Sequence, residues 1–334
     1  MKAIVYEKYG SPDVLELRDI DKPVVKDNEV LVRIHAAAVN PFDWRLMRAD
    51  PRLIRLVKGL RKPRRAVIAG ADMAGVVEGA GTDVTRLRAG DEVYAEIDSS
   101  GCFAEYVCVA EGLVGRKPGN LTFEQAAAVP MAGITALQAV RNVGKVQPGQ
   151  KVIVNGAGGG IGTFAVQIAK ALGAEVTGVC SPAKVDLVRS IGADHVIDYT
   201  LGDFTRGAER YDLLVDMVGN RSLSEFRRVL TRKGTFAMVG GGGGRLLGPA
   251  AQIIRGVLTS PFVSQRLAPV SGRPSGDDLD YLKDLIEAGK VVPVIDRTFP
   301  LAEAADAIRY QEEGHACGKV VITVQSAERG NPPL

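Results

Sequence analysis

The eight-residue stretch NGAGGGIG, residues 155–162, constrains the fold more than any other, because five of its eight positions are glycine. The apolar run VIV precedes it, and the helix-like segment TFAVQIAKALG follows it. The nucleotide-binding pattern G-x-G-x-x-G fits Ala157, Gly159 and Gly162, with alanine in the first place. Glycines let the backbone turn tightly and approach a pyrophosphate, which the N-terminus of the next helix then binds. The stretch predicts a dinucleotide site in a strand–turn–helix unit, and a glycine turn without a ligand is the structural alternative.

The chain shows two different sequence patterns, one in about the first 120 residues and one after them. Residues 1 to about 120 carry β-branched segments such as EVLVRIHAAAV between turn signals such as AGD and KPGN, which is typical of a β-rich barrel or sandwich. From about residue 125, short apolar strands alternate with amphipathic helices, the pattern of a parallel sheet with helices on both faces. The sequence therefore predicts an α/β protein with two domains.

The end of the strand after the glycine turn indicates which dinucleotide is bound. An NAD site usually has an Asp or Glu there to accept the ribose hydroxyls. This sequence has VCSPAK instead, which supplies the Ser181 hydroxyl and the Lys184 ammonium and no carboxylate. These groups suit a 2′-phosphate, so we expect NADP(H). The alternative is a solvated helix start with a surface lysine, and nearby Asp186 weakens the preference.

Composition excludes several classes of protein. Of the 334 residues, 46% are hydrophobic and 24% are charged, as in an ordinary globular protein, and the net charge of +3 is too small to indicate a nucleic-acid partner. The four cysteines form no CxxC pair, which favours free thiols in a reducing compartment. The start MKAIVYEKYG lacks a signal-peptide core, and the uncharged run 152–169 is interrupted by glycines and polar residues. We therefore expect a cytoplasmic protein with no integral membrane association.

Motifs along nearly the whole chain resemble those of the medium-chain dehydrogenase/reductase superfamily. They are AAAVNPFDW, GADMAGVVEGAG, AGDEVYA, GCFAEYV, AAAVPMAGITALQA, NGAGGGIG, IGADHVIDY and GKVVI. Within the superfamily, the chain resembles the zinc-free quinone oxidoreductases and, among them, the reticulon-interacting NADPH oxidoreductases. The resemblance implies a GroES-like β-rich catalytic domain, residues 1–124 and 268–334, and a Rossmann NADP(H)-binding domain with a doubly wound parallel sheet, residues 125–267.

The resemblance also implies a set of cofactor contacts, which come from strand ends and from the returning C-terminal segment. They are Gly158, Gly159, Gly160 and Ile161 under the pyrophosphate; Ser181, Lys184 and Tyr199 at the 2′-phosphate and ribose; Val218, Gly219 and Asn220 beside the ribose; Val239 and Gly240 at the carboxamide; Thr135 at the nicotinamide; and His315, Ala316, Cys317 and Lys319 near the phosphates. Zinc-using members hold their catalytic metal with Cys, His and Cys. Those places carry Asn40, Ala71 and Met131 here, and none is a good zinc ligand, so we expect no metal.

Few residues offer acid–base chemistry. His35 sits in a strand pattern and His195 is expected at a surface or strand edge. Asn40, in a metal ligand's place, is the best candidate to hydrogen-bond a substrate carbonyl, and a turn residue before proline is an equal alternative. Trp44 is a candidate to stack on a flat acceptor, although core packing is favoured. Because so few acid–base groups are available, the sequence favours quinones and activated enones as substrates, since they accept hydride readily, over simple alcohols.

A basic segment, residues 45–65, holds nine Lys or Arg and one acid, Asp50. Apolar residues within it recur at helical spacing. A solvated helix packed on its apolar side is the favoured interpretation. The functional alternatives are a rim that attracts an anionic thioester substrate and a weak contact with a membrane surface.

The leading hypothesis is an NADPH-dependent reductase of quinones or α,β-unsaturated carbonyls that uses no zinc. The alternatives are a reductase of enoyl thioesters on coenzyme A or a carrier protein, and a non-catalytic NADPH-binding regulatory protein. The expected partners are a small-molecule substrate and, by resemblance, a second copy of the chain, joined through edge strands of the two parallel sheets. The apolar segment GTFAMVG, residues 234–240, is the sequence candidate for that contact.

Overall fold

The structure, a computed structural model, describes residues 1–97, 101–240 and 250–324. Its described strands form one parallel sheet and two sheets that are mostly antiparallel. In chain order the strands are β1 (Lys2–Tyr6), β2 (Glu16–Asp19), β3 (Glu29–Val39), β4 (Val67–Ile68), β5 (Asp72–Ala80), β6 (Glu92–Glu96), β7 (Tyr106–Ala110), β8 (Val114–Arg116), β9 (Lys151–Asn155), β10 (Glu175–Cys180), β11 (His195–Asp198), β12 (Tyr211–Asp216), β13 (Leu230–Met238), β14 (Arg266–Pro269), β15 (Ile295–Pro300) and β16 (Lys319–Thr323).

α-Helices pack both on the parallel sheet and on the β-rich domain. They are α1 (Pro41–Arg48), α2 (Ile54–Lys58), α3 (Phe123–Ala127), α4 (Pro130–Leu137), α5 (Gly160–Ala171), α6 (Val185–Ser190), α7 (Leu223–Arg228), α8 (Ala250–Thr259), α9 (Gly276–Glu287) and α10 (Ala304–Glu312). A π-helical stretch, Gln138–Val143, continues α4.

The parallel sheet has the strand order β11-β10-β9-β12-β13-β14, in which the direction of progression reverses between β9 and β12. Alternate residues of β9 pack on opposite faces: Val152 and Val154 join one hydrophobic cluster with Phe164 of α5, and Ile153 joins another with Phe226 of α7. Both faces are therefore covered by helices, which confirms the predicted doubly wound fold. In such sheets ligands bind where the order reverses, at the carboxyl ends of the strands.

The β-rich domain brings distant segments to one end of β3. Its larger sheet has the order β15-β16-β3-β5-β6-β8, with β7 also paired to β3. The C-terminal strand β16 pairs with β3 so that Val320 lies opposite Val39, and Asp72 of β5 lies opposite Ala38. The residues that flank these positions, Asn40 and Lys319, are thereby carried next to Asp72.

Two expectations about the edges of the parallel sheet need adjustment. Its last strand, β14, ends at Pro269, so the sheet runs two residues past the expected boundary at residue 267. The apolar segment 234–240 is not an edge, since β13 lies between β12 and β14. Among the described residues the edges of this sheet are β11 and β14.

Candidate active site

The glycine turn joins β9 to α5 at the switch point of the parallel sheet. Gly156 has a φ of +93°, which favours glycine, and a Cβ on Gly162 would lie 2.1 Å from the Gly156 carbonyl oxygen. The turn therefore closes tightly only with glycine at these two positions. The N–H groups of Gly160 and Ile161 begin α5, where they have no acceptor within the helix. This bare backbone at a helix N-terminus fits a pyrophosphate.

Lys184 lies across the turn from the side of β10. A Cβ added to Gly158 would meet its Cδ at 2.7 Å, and its Nζ donates to the Ala316 carbonyl oxygen at 2.5 Å. Ser181 follows β10 and Tyr199 follows the neighbouring β11, so the expected 2′-phosphate residues come from adjacent strand ends. The hydroxyl, the ammonium and the half-exposed Tyr199 ring fit the phosphate end of NADP(H), and residues 181–185, which directly follow β10, include no carboxylate.

Asp216, which the sequence analysis missed, organises the loop expected beside the ribose. It ends β12, is fully buried, and accepts the backbone N–H of both Val218 and Gly219 through its carboxylate. The Asn155 amide at the end of β9 donates to Asp216 at 2.8 Å and to the side-chain oxygen of Asn220 at 3.1 Å. A polar residue at the end of each of two apolar strands, VIVN and YDLLVD, was the signal available in the sequence.

Backbone hydrogen bonds gather the remaining cofactor-contact loops at the same place. The N–H groups of Val239 and Gly240 donate to the Asp216 carbonyl oxygen at 3.1 and 3.3 Å. On the other side of the turn, Gly318 forms a bridge with Gly159, which sets the segment His315, Ala316 and Cys317 against the glycines. All these expected contacts surround one turn, although their roles toward a cofactor stay predictions.

Lys319, which the resemblance places near the phosphates, lies over the glycine turn and directs its ammonium to Asn40 and Asp72. Its aliphatic chain passes over the turn, where a Cβ on Gly160 would meet its Cδ at 3.1 Å. Its ammonium is buried, donates to Asn40 Oδ1 at 2.5 Å and lies 3.4 Å from the Asp72 carboxylate. Lys319 thus connects the glycine turn to Asn40 and Asp72.

Asn40 is fully occupied within this cluster of Asn40, Asp72 and Lys319. Its Nδ2 donates to Asp72 at 2.9 Å and to the Ala38 carbonyl oxygen at 3.3 Å, while its Oδ1 accepts from Lys319. The other Asp72 oxygen accepts the Met131 N–H at 2.9 Å. With both amide hydrogens engaged and 3% of its surface exposed, Asn40 has no donor directed at a substrate carbonyl in this structure.

Two buried carboxylates adjoin the Lys319 ammonium. Burial raises the pKa of Asp72, and the Lys319 charge and the Asn40 amide oppose that rise. Burial also raises the pKa of Asp43 to about 7, against the hydrogen bond from the Asn40 N–H at 2.7 Å. One Asp43 oxygen has no hydrogen-bond partner in the part of the chain described. An amide, a cation and carboxylates of raised pKa therefore share one buried site.

The other residues considered in the sequence occupy less central places. Thr135 is buried on α4, where a Cβ on Gly272 would meet its Oγ1 at 2.9 Å. Trp44 packs half-buried on the barrel core, as the favoured interpretation expects, and its acceptor role stays a prediction. His35 stacks on Phe123 with ring centroids 4.3 Å apart, and burial lowers its pKa. His195 lies exposed at the sheet edge, 3.1 Å from Glu175.

Comparisons with known proteins agree with this architecture. A model of the alcohol dehydrogenase GroES-like domain matches residues 26–119, and a model of zinc-binding dehydrogenases matches residues 191–322. The chain is 34% identical to the mitochondrial NAD(P)H oxidoreductase RTN4IP1 of Mus musculus, over 97% of this chain and 89% of that protein. This chain belongs to the medium-chain dehydrogenase/reductase superfamily.

Two further members of this superfamily extend the comparison. The chloroplastic NADPH-dependent alkenal/one oxidoreductase of Arabidopsis thaliana is 35% identical over 96% of this chain and 79% of that protein. The solved quinone oxidoreductase of Coxiella burnetii superposes with a TM-score of 0.84 at 30% identity, covering 97% of this chain and 99% of its own. The chain lies in the quinone oxidoreductase branch of the superfamily.

The described residues lack two kinds of feature. No group of three His, Cys, Asp or Glu residues there is arranged to hold a metal ion. No helix in that part of the chain has the length and apolarity needed to cross a bilayer.

Proposed function

We propose that this chain is a zinc-independent, NADPH-dependent reductase that transfers hydride to quinones or α,β-unsaturated carbonyl compounds. The observation that carries the proposal is the buried Lys319 ammonium, bonded to Asn40 where zinc-using members place a metal ligand. Relatives named as quinone and alkenal/one oxidoreductases support the same substrate class.

The donor set at this position disfavours a divalent cation. Asn40, Ala71 and Met131 offer one amide oxygen, a methyl group and a thioether, and the amide oxygen already accepts from a cation. A zinc ion there would find no thiolate or imidazole, would compete with Lys319 for the oxygens of Asn40 and Asp72, and would be repelled by the Lys319 charge. These residues therefore do not fit zinc, which supports the zinc-independent part of the proposal.

In this proposal the residues around the glycine turn bind NADPH. Bound NADPH supplies a hydride from its nicotinamide ring. The helix N-terminus at Gly160 and Ile161 would hold the pyrophosphate, while Ser181 and Lys184 would hold the 2′-phosphate. Lys184 gives one of its three N–H groups to the Ala316 carbonyl oxygen, so the other two can be donated to the phosphate. The chain thus contributes position and electrostatics, and the oxyanion of a reduced quinone or enone takes its proton from water.

The test is NADPH oxidation by the purified full chain with a panel of quinones, free enones and an enoyl thioester, repeated with NADH. We expect turnover of quinones or free enones, with a strong preference for NADPH. Turnover of the thioester alone would assign the runner-up, an enoyl-thioester reductase. NADPH binding without turnover of any acceptor would overturn the enzyme assignment in favour of a regulatory protein.

The zinc-independent part is tested separately on the same preparation. We expect metal analysis to find less than one zinc per chain and dialysis against a chelator to leave turnover unchanged. Loss of activity on dialysis, with recovery on adding Zn²⁺, would contradict it.

We also propose a homodimer across the edge strand β14. The adjacent α8 exposes Val257 and Leu258, and Phe262 beyond it is 87% exposed, so a second copy would cover apolar surface. Light scattering of the purified chain tests this assembly, and a monomer at micromolar concentration would contradict it.

For the compartment we propose the cytoplasm, because the four cysteines are all free. The names of two relatives place those proteins in mitochondria and chloroplasts. Localisation of the tagged full chain in its own cells decides between these compartments.

A further inference from the structure

The basic segment of the sequence forms an exposed surface, here called the 52–65 surface and defined by residues 52–65. The interpretation of a helix packed on its apolar side is wrong for most of this segment. Leu56, Val57 and Leu60 are 63%, 70% and 68% exposed, and Leu53 is 42% exposed. Only Ile54 of the apolar set is half-buried.

The chain nevertheless holds this surface firmly on the barrel. The Tyr9 hydroxyl donates to the Gly59 carbonyl oxygen at 3.1 Å, and the Arg55 guanidinium lies over the Tyr9 ring, 5.3 Å from its centroid. The Arg64 N–H donates to the Lys58 carbonyl oxygen at 3.0 Å and closes the loop after α2. One side is therefore anchored while the apolar side chains project away.

Cations surround the projecting side chains. The exposed ones are Arg52, Lys58, Arg61, Lys62, Arg64 and Arg65. Within the described ranges none of the six forms an ion pair, and the only acid among residues 45–65 is Asp50. The surface therefore combines uncompensated positive charge with exposed apolar area.

We propose that the 52–65 surface docks on the surface of an anionic lipid bilayer. Lysines and arginines beside projecting aliphatic side chains match a layer of anionic headgroups over acyl chains. A soluble polyanion would satisfy the cations and leave the four aliphatic side chains in water. A second copy of the same surface would place like charges against each other.

The position of the surface suits the proposed reaction. Asn40 immediately precedes α1, whose eight residues span about 12 Å and lead to the surface. An acceptor with an apolar tail, dissolved in the bilayer, would therefore meet the protein beside its substrate cleft; this link rests on the proposed function, whereas the docking itself does not.

Vesicle flotation of the full chain tests the docking and requires no turnover. We expect binding to phosphatidylcholine vesicles that contain phosphatidylglycerol, little binding to phosphatidylcholine alone, and weaker binding at high salt. Arg61→Gln with Lys62→Gln should lower the partition coefficient about 25-fold, at about fivefold per cation. The control is Arg232→Gln with Lys233→Gln, an exposed Arg–Lys pair elsewhere, which should leave binding unchanged.

A second pair of variants tests the aliphatic side chains. Val57→Ser should weaken binding about three- to tenfold, while the same change at Val24, which is 87% exposed, should have no effect. Absence of binding to anionic vesicles, or equal losses in variants and controls, would overturn the proposal. Loss with the charge variant alone would contradict the part of the proposal in which the aliphatic side chains enter the bilayer. Turnover of a water-soluble quinone without vesicles tests the proposed function independently.

Discussion

Two lysines lie over the same glycine turn, and they occupy opposite electrostatic environments. Lys184 covers Gly158 on the side of Ser181 and Tyr199, here called the nucleotide side after the proposed function; it is half-buried and makes one hydrogen bond to a backbone carbonyl. Lys319 covers Gly160 on the side of Asn40 and Asp72, here called the substrate side on the same ground; it is buried and bonded to Asn40 beside the Asp72 carboxylate. The first can be redirected to a ligand at small cost, whereas the second is part of the protein's own structure.

The largest expected effect is that of Lys319→Met on stability. Removing the cation leaves Asp72 as an unpaired buried carboxylate, which should lower the free energy of unfolding by about 3–5 kcal/mol. Urea denaturation measures this change, and Asp72→Asn in the same background should recover part of it. Lys184→Met is the matched control, expected within about 1 kcal/mol of the wild type. Equal losses of unfolding free energy in Lys319→Met and Lys184→Met would contradict the different structural roles assigned to the two lysines.

The substrate side should also show a pH dependence of stability. The pKa of Asp43 is raised to about 7 in the folded protein, so its protonated form favours folding. Its contribution is complete below the ordinary aspartate pKa and is lost as the pH rises through about 7, by up to about 4 kcal/mol. Asp43→Asn should therefore flatten the unfolding free energy between about pH 4 and pH 8. Asp21→Asn, at an exposed position, should leave the profile as in the wild type.

On the nucleotide side, the expected effect is on binding. Lys184→Met should raise the KM for NADPH about 10- to 100-fold, because it removes a charged hydrogen bond to the 2′-phosphate. The KM for NADH, which lacks this phosphate, should not change, and Lys184→Arg should retain most of the preference. Equal losses with the two cofactors would show that Lys184 supports the turn rather than the phosphate.

The smallest effects are expected from adding one methyl group under each lysine. Gly158→Ala should destabilise by about 1 kcal/mol, because the added Cβ would lie 2.8 Å from the Lys184 Cβ, which a change of rotamer cannot move away. Gly160→Ala should cost less than about 0.5 kcal/mol, because its nearest neighbour, the Lys319 Cδ, lies 3.1 Å away and has to give only slightly. Thermal unfolding of the two variants compares them directly, and a larger loss for Gly160→Ala would contradict this order.

The two sides also differ in how far the sequence predicts them. The glycine turn, its strand and its helix are continuous in the chain. The sequence of residues 151–171 alone therefore predicts the strand–turn–helix unit and a dinucleotide as its ligand. The cluster of Asn40, Asp72 and Lys319 depends on the registers of β16 and β5 with β3, which no local pattern specifies. The motif resemblance therefore predicted that Lys319 lies near the turn, but it did not predict the direction of the Lys319 ammonium.

The prediction, from helical spacing, that the apolar side chains of the 52–65 surface are buried was wrong for a related reason. The recurrence of Leu53, Leu56, Val57 and Leu60 indicates that they share a face, but it does not say whether another element covers that face. In the structure that face is exposed, since the barrel meets this segment through Tyr9, Arg55 and Gly59 instead. Burial is decided by neighbours that lie far away in the chain.

The place of β16 in its sheet has a consequence for synthesis. β16 lies between β15 and β3, so the sheet that begins with residues near the N-terminus is completed by Lys319–Thr323. The parallel sheet, by contrast, has all its described strands by Pro269. On the ribosome the nucleotide domain can therefore fold first, while residues 36–39 of β3 keep one edge unpaired until β16 emerges. The cluster that Lys319 completes is thus among the last parts of the molecule to form.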